Sequence, residues 1–295
     1  MRHLFERLLC KKKMIRILFL LLFISFSGTI FSQLDTLHYI PPLHFEDNTQ
    51  IEDHYIYVST PSSTPFLLTI EDGNGNVLAS PMISNAASYI YTVGNGQTSG
   101  SKTFVPTDSL NTVLTHSGLK LYGDFEFYAN LRARAISQSE SLTSKGTSAF
   151  GTEFRYGGFP QFTNASVDRN FTAGFMATED NTNIIIDDYD PLVVFDGNPT
   201  FSSPSINITL NEGESYVLAG SNSIIANQDG FVGAKIISDK PIVLSNGNLL
   251  GNIHPTSTYR DMGIDQSVPI DRLGKKYIVV EGDGIAELER PIIIA

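Results

Sequence analysis

Short stretches of alternating apolar and polar residues recur along most of the chain. They are four to six residues long and rich in β-branched and aromatic side chains. This length and composition are typical of β-strands. The predicted strands are residues 54–59, 66–70, 124–128, 183–187, 205–210, 215–218, 234–237, 241–244 and 277–280.

Turn-forming residues separate these strands. Gly, Asn, Asp and Pro cluster at residues 72–76, 212–214, 239–241 and 281–284, where they supply a positive φ or a fixed proline φ. No stretch after residue 32 keeps a helical period for three turns. Regularly spaced short strands and turns predict an all-β fold made of tandem antiparallel β-sandwich-like modules.

The pattern also repeats along the chain. Residues 54–58, 153–156 and 276–280 each open a segment that leads to an apolar strand, and residues 88–93 are matched by residues 214–218. We therefore predict a first module at residues 33–145, a second at 146–275 and the start of a third, truncated module at 276–295. On this interpretation the chain is a fragment of a longer surface protein.

The first 32 residues have the layout of a signal peptide. A basic run that includes Lys11 and Arg16 precedes an apolar stretch at residues 15–26, and small residues follow up to Ser32. The apolar stretch is shorter than the roughly 20 residues that span a bilayer, which disfavours a membrane anchor. The sequence predicts cleavage after Ser32 and a secreted or cell-surface protein with no membrane insertion afterwards.

The net charge excludes one class of partner. The whole chain carries a formal charge of −11, which becomes −16 when the leader, with its six Lys or Arg residues and one Glu, is removed. Nucleic acid is a poor partner for a chain of this sign.

The single cysteine, Cys10, lies in the leader, so the mature protein must be held by packed cores, by bound ions, or by both.

Several motifs in the second half occur in an order that resembles a known family. They are residues 144–155 (SKGTSAFGTEFR), 175–184 (FMATEDNTNI), 213–218 (GESYVL), 233–243 (GAKIISDKPIV) and 262–269 (MGIDQSVP). Together they resemble the IgG Fc-binding protein N-terminal domain family, in the form found in large bacterial surface proteins. The resemblance covers about residues 145–295.

This resemblance implies a secreted or cell-surface protein. Animal members of the family are rich in cysteine and the mature chain has none, so immunoglobulin binding is not carried over. The motifs also have a structural interpretation. Asp and Asn at residues 178–182 suit a tight turn, and Gly157, Gly158 and Gly247 suit backbone positions that exclude a side chain.

No catalytic motif occurs in the sequence. His38, His44, His54, His116 and His254 are scattered, with no HExxH spacing and no cysteine partner for zinc. Nucleophile-elbow and Walker A patterns are absent. Neighbouring acids on a strand point to opposite faces, so they do not form an acid and base pair for glycoside hydrolysis. The sequence predicts a protein that is not an enzyme.

Calcium is the cofactor with a signal in the sequence. Asp72, Asn74 and Asn76 place oxygen ligands at alternate positions, but the glycine and glutamate that complete an EF-hand loop are missing. A second candidate set is Asp187, Asp188 and Asp190. A hairpin turn explains the first set equally well, and a solvated loop explains the second.

Two functions remain open at this point. The first is an adhesion or binding module whose ligand is an extracellular glycoprotein, a glycan or a matrix component. The second is a secreted carbohydrate-active enzyme or its carbohydrate-binding accessory domain. The absence of Trp, a strong stacking platform for sugars, counts against the second.

Overall fold

The described part of the chain consists of β-strands and short 3₁₀ turns. The computed structural model describes residues 33–45, 51–95, 101–135, 138–162, 171–197, 199, 201, 204–220, 224–254, 260–280, 282 and 293–294. The predicted signal peptide lies outside these ranges. The strands in chain order are β1 (Asp35–Ile40), β2 (Leu43–His44), β3 (Asp53–Ser59), β4 (Phe66–Asp72), β5 (Val77–Ala79), β6 (Met82–Ile83), β7 (Tyr89–Asn95), β8 (Phe104–Val105), β9 (Leu119–Ala135), β10 (Gln138–Thr143), β11 (Gly151–Arg155), β12 (Phe171–Ala177), β13 (Thr182–Asp187), β14 (Ile206–Leu210), β15 (Ser215–Gly220), β16 (Lys235–Gly251) and β17 (Asp261–Gln266).

Helical structure is limited to four 3₁₀ turns in these ranges. They are Thr107–Ser109, Gly146–Ala149, Ile225–Gln228 and Ile270–Arg272. No helix among the described residues is long and apolar enough to cross a membrane. The prediction of an all-β fold is confirmed.

The first sheet is built around one long strand, β9. The N-terminal half of β9 pairs with β1 and β4, and its C-terminal half pairs with β3 and β10. β7 extends the sheet beyond β3, and β5 and β6 extend it beyond β4. Leu121, Phe127 and Leu131 lie on one face of β9 and enter a single hydrophobic core. The sheet curls around this core into a nearly closed, barrel-like unit.

The second sheet follows the same plan around β16. The N-terminal half of β16 pairs with β11 and β13, and its C-terminal half pairs with β12 and β17. β14 extends the sheet beyond β13, and β15 extends it beyond β12. Aromatic side chains fill the interior, where Phe231 stacks on Phe171 with ring centroids 4.4 Å apart. All pairs in both large sheets are antiparallel.

The common plan sets up a correspondence between strands. β7 corresponds to β15, in agreement with the predicted match of residues 88–93 to 214–218. β3 corresponds to β12, whereas the sequence matched residues 54–58 to 153–156, which lie in and just after β11. The sequence repeat itself stays a prediction, and so do the module boundaries at residues 145 and 275.

The two sheets pack closely on each other. Every residue of β12 and β15 is buried, because one face of these strands contacts the second core and the other faces the N-terminal half of the chain. Strands buried on both faces appear in a sequence as continuous apolar runs. At Gly174 the backbone of Pro42 comes so close that an added Cβ would lie 1.8 Å from the Pro42 carbonyl oxygen. β17 also contacts the first sheet, because Met262 and Ile264 lie in its hydrophobic core.

Two predicted elements are wrong. Residues 239–241 were predicted as a turn, but they lie inside β16. There β16 changes partner from β13 to β12, so the missing N–H of Pro241 interrupts no ladder. Residues 277–280 were predicted as a strand, but they pair with no strand among the described residues, and their side chains are 68% to 91% exposed. The remaining predicted strands are present, with residues 124–128 absorbed into β9 and residues 234–237 and 241–244 into β16.

Candidate functional site

The outer face of the first sheet carries a row of polar and aromatic side chains. In β3, His54, Ile56 and Val58 point inward, so Tyr55 and Tyr57 point outward. The same alternation brings Asn130, Arg132 and Arg134 of β9 to the outer face. Short-range alternation thus places tyrosines and arginines on neighbouring strands of one surface.

Strand register then sets these residues side by side. Tyr55 lies opposite Arg132, which lies opposite Ser141 of β10. In the next row, Tyr57 lies opposite Asn130. Cross-strand neighbours on one face are within side-chain contact distance, so the rows form a continuous surface.

Arg132 is held in place by uncharged groups. Its guanidinium carbon lies 4.5 Å from the centroid of the Tyr57 ring, a cation–π distance, and its Nε donates a hydrogen bond of 3.1 Å to Asn130 Oδ1. Arg134 is different, because its Nη2 lies 3.0 Å from an Asp53 carboxylate oxygen and 3.1 Å from one of Glu52. Arg134 is therefore paired with acids, whereas Arg132 has no acid partner among the residues that the structure describes.

A cleft of about 520 Å³ opens over this surface. It is lined by Asp53, Tyr55, Arg132, Ala133, Arg134, Ser139, Glu140 and Ser141. Its walls are polar, with Ala133 the one aliphatic residue among them.

A second cleft, of about 400 Å³, lies on the other side of β10, where the two sheets meet. Phe159 covers Gly251 and Gly263 there, and Lys145 pairs with Asp265 at 2.6 Å. It is lined by Gln33, Glu140, Ser141, Thr143, Lys145, Gly157, Gly158, Phe159, Asn246, Gly247, Gly263, Ile264 and Asp265. Glu140 and Ser141 line both clefts, so we treat the two together as the β10 groove.

The family comparison bears on the second half of this groove. A family model described as IgGFc binding protein matches residues 139–293, slightly more than half of the chain. The chain belongs to the IgGFc binding protein family. Searches among curated proteins and among solved structures found no match. The resemblance that the sequence motifs indicated is thus confirmed, while the bacterial subgroup stays a prediction.

The family region begins in β10 and contains every residue that lines the second cleft except Gln33. Ser139 is its first residue, and Lys145, Phe159 and Asp265 fall within it. Tyr55 and Arg132 lie outside it, in the N-terminal half of the chain. The β10 groove therefore combines residues of the family region with residues that precede it.

The first predicted calcium set forms a hairpin turn between β4 and β5. Asp72 Oδ1 accepts hydrogen bonds from the backbone N–H groups of Asn74 at 3.0 Å and Asn76 at 3.1 Å, and Lys102 Nζ lies 2.9 Å from Asp72 Oδ2. Burial opposes ionisation of Asp72, but the hydrogen bonds from Lys102, Asn76 and Asn74 outweigh it and lower its pKa. The structure thus brings Asp72 and Asn76 together, with the Asp72 carboxylate accepting hydrogen bonds from N–H groups of the turn.

The second predicted set is spread along the loop after β13. Asp188 pairs with Arg155, and Asp190 accepts a hydrogen bond of 2.8 Å from the backbone N–H of Leu192. Asp187 ends β13 opposite Lys235. In the ranges that the structure describes, no group of three or more His, Cys, Asp or Glu residues is arranged to hold a metal ion. Calcium binding stays a prediction.

Two histidines pair with serines inside the protein. His38 Nδ1 lies 3.0 Å from Ser144 Oγ, and His54 Nε2 lies 2.6 Å from Ser101 Oγ. All four side chains are buried. Burial lowers the pKa of His38 and lowers that of His54 to about 4, so both rings are neutral at pH 7. Neither pair lines the β10 groove.

Sequence reasoning missed the groove residues. Asn130, Arg132 and Arg134 form a polar set of period two within an apolar stretch, and Tyr55 and Tyr57 have the same spacing. That pattern identifies the outward face of each strand. The pairing of β3 with β9 puts the two sets together, because it joins Tyr57 to Asn130 and Tyr55 to Arg132 across more than 70 positions of the chain.

Proposed function

We propose that this chain is an exported, non-catalytic binding module that holds its ligand in the β10 groove. The observation that carries the proposal is the groove itself, an open cleft whose walls combine the Tyr55 ring, serine hydroxyls and the Arg132 guanidinium, which has no acid partner among the described residues. Concave sites with a few converging polar groups are the usual form of a ligand site. Membership of the IgGFc binding protein family supports a binding function.

The surroundings of the titratable groups support a function without catalysis. Catalytic acids and bases need access to substrate and a pKa matched to their task. The serine-paired histidines are enclosed. In the groove, Arg134 forms an ion pair with Asp53, Lys145 forms one with Asp265, and Glu140 accepts a hydrogen bond from the backbone N–H of Ser141. The groove is thus suited to holding a ligand.

The partner we propose is an extracellular glycoprotein, a glycan or a matrix component. The leader pattern supports export to the outside of the cell or to its surface. The net charge of −11 disfavours nucleic acid, and the short apolar run of the leader disfavours membrane insertion after cleavage.

The test is a binding panel with a variant that blocks the groove. The purified chain is applied to arrayed glycans, extracellular matrix glycoproteins and IgG Fc, and hydrolysis of the glycans is followed in parallel. Ser141→Trp fills the groove from β10, while Asn207→Trp adds the same ring to an exposed position of β14. We expect binding without hydrolysis by the parent chain and by Asn207→Trp, and loss of binding by Ser141→Trp.

Two results would contradict the proposal. Binding that survives Ser141→Trp would place the ligand elsewhere on the molecule. Hydrolysis of an arrayed glycan by the parent chain would favour a carbohydrate-active enzyme instead.

A further inference from the structure

We propose that the cleft between β3, β9 and β10 recognises a carboxylated saccharide, with Arg132 binding the carboxylate and Tyr55 supporting the sugar ring. This inference rests on the proposed function and specifies the class of ligand. Four observations carry it: the unpaired guanidinium, the tyrosine beside it, the free serine hydroxyls and the size and polar lining of the cleft.

Arg132 is prepared to bind a planar anion. It contacts no carboxylate among the described residues, whereas Arg134 has two carboxylate partners and Arg155 has one. Stacking on Tyr57 and the hydrogen bond to Asn130 occupy one face and the Nε of the guanidinium, which leaves its terminal nitrogens to a ligand. A guanidinium held in this way loses little entropy when it forms a bidentate pair with a carboxylate.

Tyr55 provides an apolar surface next to that charge. It lies directly opposite Arg132 in the strand register and lines the same cleft. Its ring is fixed edge-on to Tyr57, with centroids 6.2 Å apart. A tyrosine ring offers an apolar body with a polar tip, which suits a sugar ring that has C–H faces and a hydroxyl edge.

Serine hydroxyls complete the cleft. Ser141 lies opposite Arg132, and Ser139 lies opposite Arg134. Neither side chain makes a hydrogen bond to a described group of the protein. Each hydroxyl can therefore donate to and accept from the hydroxyl groups of a saccharide.

Size and lining favour a saccharide over an acidic protein. The lining contains two arginines and two acids, Asp53 and Glu140, and Arg134 is paired with Asp53, so the attraction for an anion is confined to Arg132. The cleft volume of about 520 Å³ matches small-ligand sites, whereas a protein partner typically covers about 800 Å² of surface per side and uses apolar anchors. Among the lining residues only Ala133 is aliphatic.

The experiment measures binding of matched acidic and neutral probes to the purified chain by titration calorimetry. The acidic probes are tetragalacturonate, a hyaluronan tetrasaccharide and 3′-sialyllactose. The carboxyl-reduced form of each is its neutral control, and tetraglutamate represents an acidic peptide. We expect at least one acidic saccharide to bind about tenfold more tightly than its reduced form and than tetraglutamate.

Protein variants then assign the contacts. Arg132→Gln should reduce the affinity for the acidic probe to that of the neutral one, and Arg132→Lys should restore only part of the loss, because lysine lacks the planar fork. Tyr55→Ser should weaken the acidic and neutral forms alike, and Tyr55→Phe should not. Arg155→Gln, which removes an arginine of the second sheet, should leave binding unchanged. Because Arg132 is exposed, its variants should fold like the parent chain. The melting temperature of each variant checks this.

The outcomes separate this inference from the proposed function. If no acidic saccharide binds while panel binding is still lost in Ser141→Trp, the carboxylated saccharide is wrong and the binding groove stands. Equal affinity for tetraglutamate would assign the cleft to acidic peptides. Unchanged affinity of Arg132→Gln for the acidic saccharide would show that Arg132 does not bind the carboxylate. If Ser141→Trp keeps all panel binding, the groove itself is wrong.

Discussion

His54 illustrates how the fold controls the chemistry of single residues. It is 0% exposed, its Nε2 is bonded to Ser101, and its ring packs edge-on to Phe104. Its Nδ1 has no hydrogen-bond partner among the described residues, so a proton added there would be buried without an acceptor. Burial accordingly lowers the pKa of His54 to about 4, a shift that Asp53 partly offsets.

We predict that acid destabilises the protein through His54. Its pKa is 6.5 when unfolded and about 4 when folded, so the unfolded state takes up the proton first as the pH falls below 6.5. The free energy of unfolding should then drop by about 1.4 kcal/mol per pH unit between pH 6.5 and 4. His38 acts in the same direction. Above pH 6.5 neither residue contributes a slope.

The measurement is urea unfolding at several pH values. His54→Gln keeps a polar atom near the position of Nε2 but does not titrate, so its stability should fall less steeply between pH 6.5 and 4. Gly274→Ala, which removes no titratable group and whose added Cβ meets no atom nearer than 3.7 Å, is the control and should follow the parent. Parallel curves for His54→Gln and the parent would contradict the assignment.

Gly174 leads to a second prediction about a single residue. Any Cβ at this position collides with the Pro42 carbonyl oxygen, which is backbone and cannot rotate away. Gly174→Ala should lower the free energy of unfolding by about 1–3 kcal/mol, the usual cost of overpacking. Gly274→Ala is the control, because its nearest atom lies 3.7 Å from the added Cβ, and it should have little effect. Equal stability of the two variants would show that the contact between Pro42 and β12 is not tight.

At the scale of elements, the two long strands organise the fold. β9 and β16 each pair with four other strands, two along each half. β17 is joined by hydrogen bonds to β16, yet it delivers Met262 and Ile264 to the core of the first sheet. One edge strand of the second sheet therefore helps to close the first.

We predict that Met262 stabilises the first sheet. Its side chain is 3% exposed, so Met262→Ala should lower the free energy of unfolding by about 2–5 kcal/mol. Met82→Ala, at 58% exposure on β6, removes the same side chain from the surface and should cost within about 0.5 kcal/mol. Denaturant unfolding of both variants gives the comparison. A small effect of Met262→Ala would mean that β17 contributes little to that core.

At the scale of the whole molecule, the leader at residues 1–32 predicts export of the chain. The secreted protein should begin at Gln33 or within a few residues of it, since cleavage is predicted after Ser32. Mass spectrometry of the protein from an exporting host gives this terminus. Leu21→Arg interrupts the apolar run and should abolish secretion. An intact leader on protein retained inside the cell would contradict the prediction.

Calcium is the second whole-molecule question. The oxygens of Asp72 already accept hydrogen bonds from Asn74, Asn76 and Lys102, so we expect an excess of EGTA to leave the melting temperature unchanged. Asp72→Asn should lower it with or without EGTA, because the charge-assisted bond to Lys102 is lost. A fall on chelation that added calcium reverses would instead reveal a structural ion.

The sequence by itself determined the class of fold, most of the strands and the family. Alternation over four to six residues is a local property, and it was sufficient for eight of the nine predicted strands because side-chain period follows backbone geometry. The family followed from ordered motifs. Residues 277–280 show the limit, because β-propensity needs a partner strand and the described structure offers none.

Tertiary structure alone decided the groove and the packing of the two sheets. Tyr55, Arg132 and Ser141 become neighbours only through pairing between strands far apart in the chain, and no local pattern encodes that register. The continuity of β16 through Pro241 was likewise set by a change of partner strand, not by the residue's turn propensity. Local sequence determines on which face of a strand a side chain lies. Long-range strand pairing determines which side chains are its neighbours on that face.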